Sequence, residues 1–128
     1  MRILVCVLFF FCFSNVFSQN WLQVGADIDG EANGDQSGMS VSSSSDGTIV
    51  AIGAERNDGN GTDAGHVRVY KYENNTWTQL GADIDGEAAS NYSGHSVSLS
   101  SDGTIVAIGS NVNAGSNLGG QVRVYKYA

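Results

Sequence analysis

The sequence predicts an all-β fold, two four-stranded antiparallel blades of a β-propeller, preceded by a signal peptide. Three observations predict it. The 128 residues include seventeen glycines and no proline, which favours many turns and short strands over helices. One long segment is repeated in tandem. Each copy sets β-branched runs around an Asp-Gly turn signal, and the first adds an Asn-Asn turn.

The first eighteen residues stand apart from the rest. Arg2 supplies a short positive start, and Ile3 to Phe13 is almost unbroken apolar sequence. Ser14-Asn15-Val16-Phe17-Ser18 then places small residues near a cut beside Gln19. This is the grammar of a secretory signal peptide over 1–18. The apolar run is short for a membrane span, which takes roughly 20 residues. The expectation is therefore a secreted or cell-surface protein, with no membrane insertion after cleavage.

Cleavage would remove Cys6, Cys12 and all five phenylalanines. The remaining chain, 19–128, has no thiol for a disulfide or for catalysis. Five basic residues (Arg56, Arg68, Lys71, Arg123, Lys126) face all thirteen acidic ones, a balance of about −8. Such a surface repels nucleic acid and suits cations or an extracellular setting.

The repeat dominates this region. Trp21-Leu22-Gln23-Val24-Gly25-Ala26-Asp27-Ile28-Asp29-Gly30-Glu31-Ala32 returns as Trp77 to Ala88, an offset of 56. Ser45 to Gly53 returns as Ser101 to Gly109, and Val67 to Tyr72 returns as Val122 to Tyr127 at an offset of 55. Between 21–53 and 77–109, 25 of 33 positions are identical, so the two units, about 21–76 and 77–128, are a tandem duplication. In the first unit, strands are expected at Ser37 to Ser43, Thr48 to Ala54, His66 to Tyr72 and Thr76 to Gly81. The turn Ser44-Ser45-Asp46-Gly47 joins the first two strands, and Glu73-Asn74-Asn75 joins the last two, where Asn tolerates positive φ. An acidic loop from Ala82 to Tyr92 crosses to the next unit. Four meandering strands in 40–57 residues make a propeller blade.

On this reading the region opens on a fourth strand, Trp21 to Gly25, and closes on a third, Gln121 to Ala128. That order suits a ring sealed by strands from both ends. A propeller needs about four to eight blades. Two expectations follow: a chain that is one piece of a longer array, or several copies assembling head-to-tail into one ring.

Gly38-Met39-Ser40-Val41 and Gly94-His95-Ser96-Val97, followed by Ala51-Ile52-Gly53-Ala54 and Ala107-Ile108-Gly109-Ser110, resemble the FG-GAP repeat. That repeat builds the propeller of integrin α-subunits, and similar units recur in large secreted proteins of marine Bacteroidetes. The resemblance covers about 21–128. It departs from the pattern at Ser37 and Ser93, where an aromatic is expected, and in lacking the closing proline. It implies a propeller used for cell adhesion or binding. The family's calcium loop lies between the two half-motifs. Here that stretch, Ser42 to Asp46, is shorter and holds serines in place of carboxylates, so calcium is not expected in that turn.

The acidic crossing loop is the better candidate for a metal. Asp27, Asp29, Glu31 and Asp35 stand at relative positions 1, 3, 5 and 9, and Asp83, Asp85, Glu87 and Asn91 repeat the spacing. Alternate residues of a tight loop can aim oxygens inward, and calcium takes six to eight of them. The competing reading is a solvated acidic turn, since Gly30 and Gly86 stand at position 4 and not at position 6, where the familiar calcium loop bends. Asn57 to Asp63 has a similar look, but its counterpart, Asn111 to Asn117, carries no acid. Because these two loops differ, they are the place to expect partner specificity.

Catalysis is not expected. His66 and His95 occupy non-matching positions, and no Ser-His-Asp set can be assembled by spacing. Trp21, Trp77, Tyr70, Tyr72, Tyr125 and Tyr127 recur at matched places, as inter-blade core or as sugar-stacking surfaces. The expected role is a binding or adhesion scaffold with an extracellular protein or glycan as partner. The alternatives are a glycan-binding lectin built from several two-blade chains, and an accessory domain of a secreted hydrolase.

Overall fold

The computed structural model describes residues 19–111 and 119–128. The expected signal peptide and most of the loop after Asn111 lie outside the described residues. Among them there is no helix, and none is therefore long and apolar enough to cross a membrane. The described chain is all-β, in two antiparallel sheets of five and three strands.

The first sheet runs β1 (Ser37–Ser43), β2 (Ile49–Ala54), β3 (His66–Glu73), β4 (Thr76–Gln79), with β5 (Ile84–Asp85) also on β3. The second runs β6 (Ser93–Leu99), β7 (Ile105–Ser110), β8 (Gln121–Lys126). Local chemistry explains the hairpins. Asp46 Oδ1 accepts from the Thr48 amide at 2.9 Å, from Thr48 Oγ1 at 2.8 Å and from Ser44 Oγ at 2.8 Å. Gly47 supplies the left-handed backbone, φ 73°, that lets the turn close. Ser100, Asp102, Gly103 and Thr104 repeat the arrangement. Asn74 and Asn75 both have positive φ, as a tight hairpin between β3 and β4 requires.

The expectation of two four-stranded sheets needs two corrections. The crossing loop is not all loop. Its residues Ile84 and Asp85 return to pair with Val67 and His66, on the part of β3 that β4 leaves free. Among the described residues the second sheet has no fourth strand, and Trp21 to Gly25 is not a strand. Trp77 holds that segment instead, donating from Nε1 to the Val24 carbonyl at 2.8 Å. Gly25 thus sits against Tyr72 and Trp77, much as Gly81 approaches Tyr127 in the next copy.

The two sheets pack face to face. Ala51 and Val67 of the first bury against Val106 and Ile108 of the second, with Val69, Val97, Leu99 and Tyr125 around them. Glycine permits the close approach. A Cβ on Gly53 would run into the carbonyl of Gly94, which also accepts from Ser40 Oγ at 2.6 Å. That carbonyl is presented by a bulge at the start of β6, where Gly94 has φ 87°. Ser42 Oγ accepts from the Leu99 amide at 3.0 Å, and the Ser45 amide donates to the Ser101 carbonyl at 2.9 Å. The serines of β1 therefore stitch one sheet to the next, which accounts for polar residues on a strand inside the stack.

Candidate functional site

The N-terminal end of β3 is where the two acidic crossing loops meet. β3 starts there because His66 and Val67 pair on one side with Ala54 and Gly53, and on the other with Asp85 and Ile84. His66 is 1% exposed. Its Nδ1 lies 3.8 Å from Glu31 Oε2 and 3.7 Å from Asp83 Oδ2, and it has no hydrogen-bond partner among the described residues. Glu31 comes from the first crossing loop and Asp83 from the second. One ligand atom from each of the three residues lies within 4.8 Å of the others.

The carboxylates are held from outside. Gln79 Nε2 donates to Asp83 Oδ1 at 2.7 Å, leaving Oδ2 toward His66. Asn57 Nδ2 donates to Glu31 Oε2 at 3.3 Å, and Arg68 Nη1 stands 3.9 Å from Glu31 Oε1. Arg68 also ties down the loop itself, donating from Nη2 to the Asp29 carbonyl at 2.7 Å.

The eight polar residues singled out by spacing do not gather into two matching cages. Asp27 accepts from Gln23 Nε2 at 2.8 Å, on the surface. Asp29 meets Arg68 through its carbonyl oxygen. Asp35 is buried and accepts from Asn57 Nδ2 at 2.8 Å. Asp85 is exposed in β5, and its carbonyl accepts from Arg123 Nη2 at 2.6 Å. Asn91 Oδ1 accepts from the Glu87 amide and from Gln121 Nε2, each at 3.3 Å. Gln121 Nε2 also lies 3.3 Å from Glu87 Oε2. Glu31 and Asp83, at unequal places in their two loops, converge on His66 Nδ1.

Spacing does not single out His66, because the duplication does not repeat it: the second copy has Gln121 at that place. That difference was itself the signal. Where Gln121 donates to Glu87, His66 turns a bare nitrogen toward Glu31. A second histidine contact also escaped the spacing. His95 Nδ1 lies 2.6 Å from Glu55 Oε2, beside Arg56, Tyr92 and Asn111.

Among the described residues, the Asp46 and Asp102 turns offer no such group. The Asp46 and Asp102 side chains already accept from their own turn, and these contacts hold both carboxyls below the ordinary value. Compared with known proteins, the chain matches no family model, no curated protein and no solved structure.

Proposed function

We propose that the chain is a secreted or cell-surface β-propeller repeat module that works as a binding and adhesion scaffold. The observation that carries this reading is a duplicated face. The first sheet receives the second through Ser40, Ser42, Ala51, Gly53, Val67 and Val69. Their counterparts in the second sheet, Ser96, Ser98, Ala107, Gly109, Val122 and Val124, make the same surface, and among the described residues none of them is buried. Val122 is 70% exposed and Val124 65%, whereas Val67 is fully buried. On the opposite side of the stack, Val41 is exposed where its counterpart Val97 packs against the core between the sheets.

A stack with one donor face and one acceptor face adds sheets in a single direction, as a propeller does. The partner for the open face is another sheet of the same kind, from a longer array or from a second chain. Binding to other molecules would then fall to the loops at the sheet ends, where the two copies diverge. Concentration-dependent self-association of the purified chain tests this. It should be lost in Val124→Glu, and association that persists in that variant would count against the face.

One observation favours a glycan as the ligand. Tyr70 and Trp77 line a cavity with Asp27, Asp29 and Asn75, a pairing of aromatic surface and hydrogen-bonding groups that suits a sugar ring. A glycan array without hits on folded protein would remove this second reading.

A further inference from the structure

We propose that Glu31, His66 and Asp83 form a binding site for one divalent transition-metal ion, with zinc as the best-matched ion. The site is not the calcium loop that the carboxylate spacing suggests. It is assembled from two different crossing loops and a strand, and its centre is a nitrogen.

The buried imidazole carries the inference. A polar atom removed from water is ordinarily hydrogen-bonded, and each exception calls for an explanation. His66 Nδ1 is buried with no hydrogen-bond partner among the described residues and faces two carboxylate oxygens at 3.7 and 3.8 Å. A protonated imidazole making a charge-assisted hydrogen bond would sit at about 2.7–2.9 Å from one of them. The observed spacing is too long for that. It is close to what a shared ion demands, since ligand atoms about 2.0–2.2 Å from a tetrahedral zinc lie about 3.4 Å apart.

The donor set selects the ion class. Imidazole nitrogen suits zinc, copper and nickel, while calcium takes six to eight oxygens. Two carboxylates and one neutral imidazole leave a zinc ion formally uncharged at the site. The fourth position would go to water, because Glu31 and Asp83 are partly exposed. The outer contacts are also those of a metal site. Gln79 fixes Asp83, and Asn57 fixes Glu31. Arg68 lies toward the other oxygen of Glu31, away from the one that faces His66.

The protein carries its own control. At the place of His66 the second copy has Gln121, which donates to Glu87, the counterpart of Glu31. His66→Gln therefore installs a residue that the repeat already accommodates, and it removes the central ligand. Asp83→Asn removes a ligand from the other loop.

Isothermal titration of metal-stripped protein with zinc chloride, paired with thermal unfolding, tests the site. Saturable binding of one zinc per chain is expected, with a rise in Tm that a chelator reverses. Calcium chloride should not reproduce it. His66→Gln should abolish the binding while keeping the metal-free Tm and circular dichroism of the parent. Asp83→Asn should weaken it at least tenfold. Absence of zinc binding by the parent protein would overturn the proposal. So would undiminished binding in either folded variant, or a preference for calcium over zinc. None of these results depends on the scaffold reading, which rests on a different face.

Discussion

Arg68 donates from Nη2 to the carbonyl oxygen of Asp29 at 2.7 Å, while its guanidinium lies over the Tyr70 ring, 5.5 Å from the centroid. Arg123 repeats the relationship with Asp85 and Tyr125, at 2.6 Å and 5.5 Å. Both crossing loops are thus latched by an arginine from the third strand of the sheet they enter. The loops are acidic, so the latch also sets positive charge among carboxylates that would otherwise repel one another.

Removing the latch should loosen the loop. Arg68→Ala is expected to lower stability by about 2 kcal/mol, in the range for a buried hydrogen bond from a charged donor. Arg68→Lys should not restore it, because an ammonium cannot both stack on Tyr70 and reach the carbonyl in the same way. Urea midpoints of the two variants check this. A midpoint unchanged in Arg68→Ala would show that the contact contributes nothing.

The turn aspartates predict a pH dependence. The Ser100 hydroxyl, the Thr104 amide and the Thr104 hydroxyl all donate to Asp102 and hold its carboxyl down to about 2, from an ordinary 3.8. Asp46 is lowered in the same direction, chiefly by the Thr48 amide. A depressed native value means the turns add stability above the unfolded carboxyl value, and that stability is lost as pH falls from about 4 toward 2. Asp102→Ala should therefore lower Tm at pH 7, and the difference from the parent should shrink below pH 3. A carboxyl titration of Asp102 by NMR with its midpoint near 4 would contradict this.

The two matched glycines predict opposite outcomes for one substitution. Gly53→Ala puts a methyl group against the Gly94 backbone, which cannot rotate away. A cost of about 2–3 kcal/mol is expected as the sheets part. At Gly109 the added methyl would press on the hydroxyl of the exposed Ser96 side chain, which can turn aside, while the Ser96 backbone stays at ordinary contact distance. Gly109→Ala should change folding stability by less than about 1 kcal/mol. Equal denaturation midpoints for the two variants would show that the sheets are not packed through Gly53.

Much of this architecture could be read from the residues. Ser37 to Ser43 was expected as a strand and is one, and the bounds of β2, β3 and β4 fall within two residues of those expected. These elements declare themselves locally, through β-branched runs and turns built on Asp46-Gly47 and Asn74-Asn75. What stayed hidden depends on contacts between distant residues. β5 exists because β4 stops short and leaves the start of β3 unpaired. Trp21 to Gly25 looks like a strand because it copies Trp77 to Gly81, yet a copy of a strand is not a strand without a neighbour to pair with. The carboxylate spacing drew attention to the crossing loops. It could not tell that Asp35 would turn to Asn57, or that Glu31 and Asp83 would meet at His66, because those pairings cross between loops.

The claim that the outward face of the second sheet is a docking face for a further sheet is tested most directly by mass. Light scattering of the purified chain should give a discrete assembly, of two to four chains if each supplies two blades of a ring of about four to eight. Gly109→Ala should reduce that mass to a single chain while leaving its sheets folded, because the methyl group stands where a neighbour's backbone would approach. A parent chain that remains a stable, folded monomer at high concentration would contradict the account, and so would a Gly109→Ala variant that assembles as the parent does.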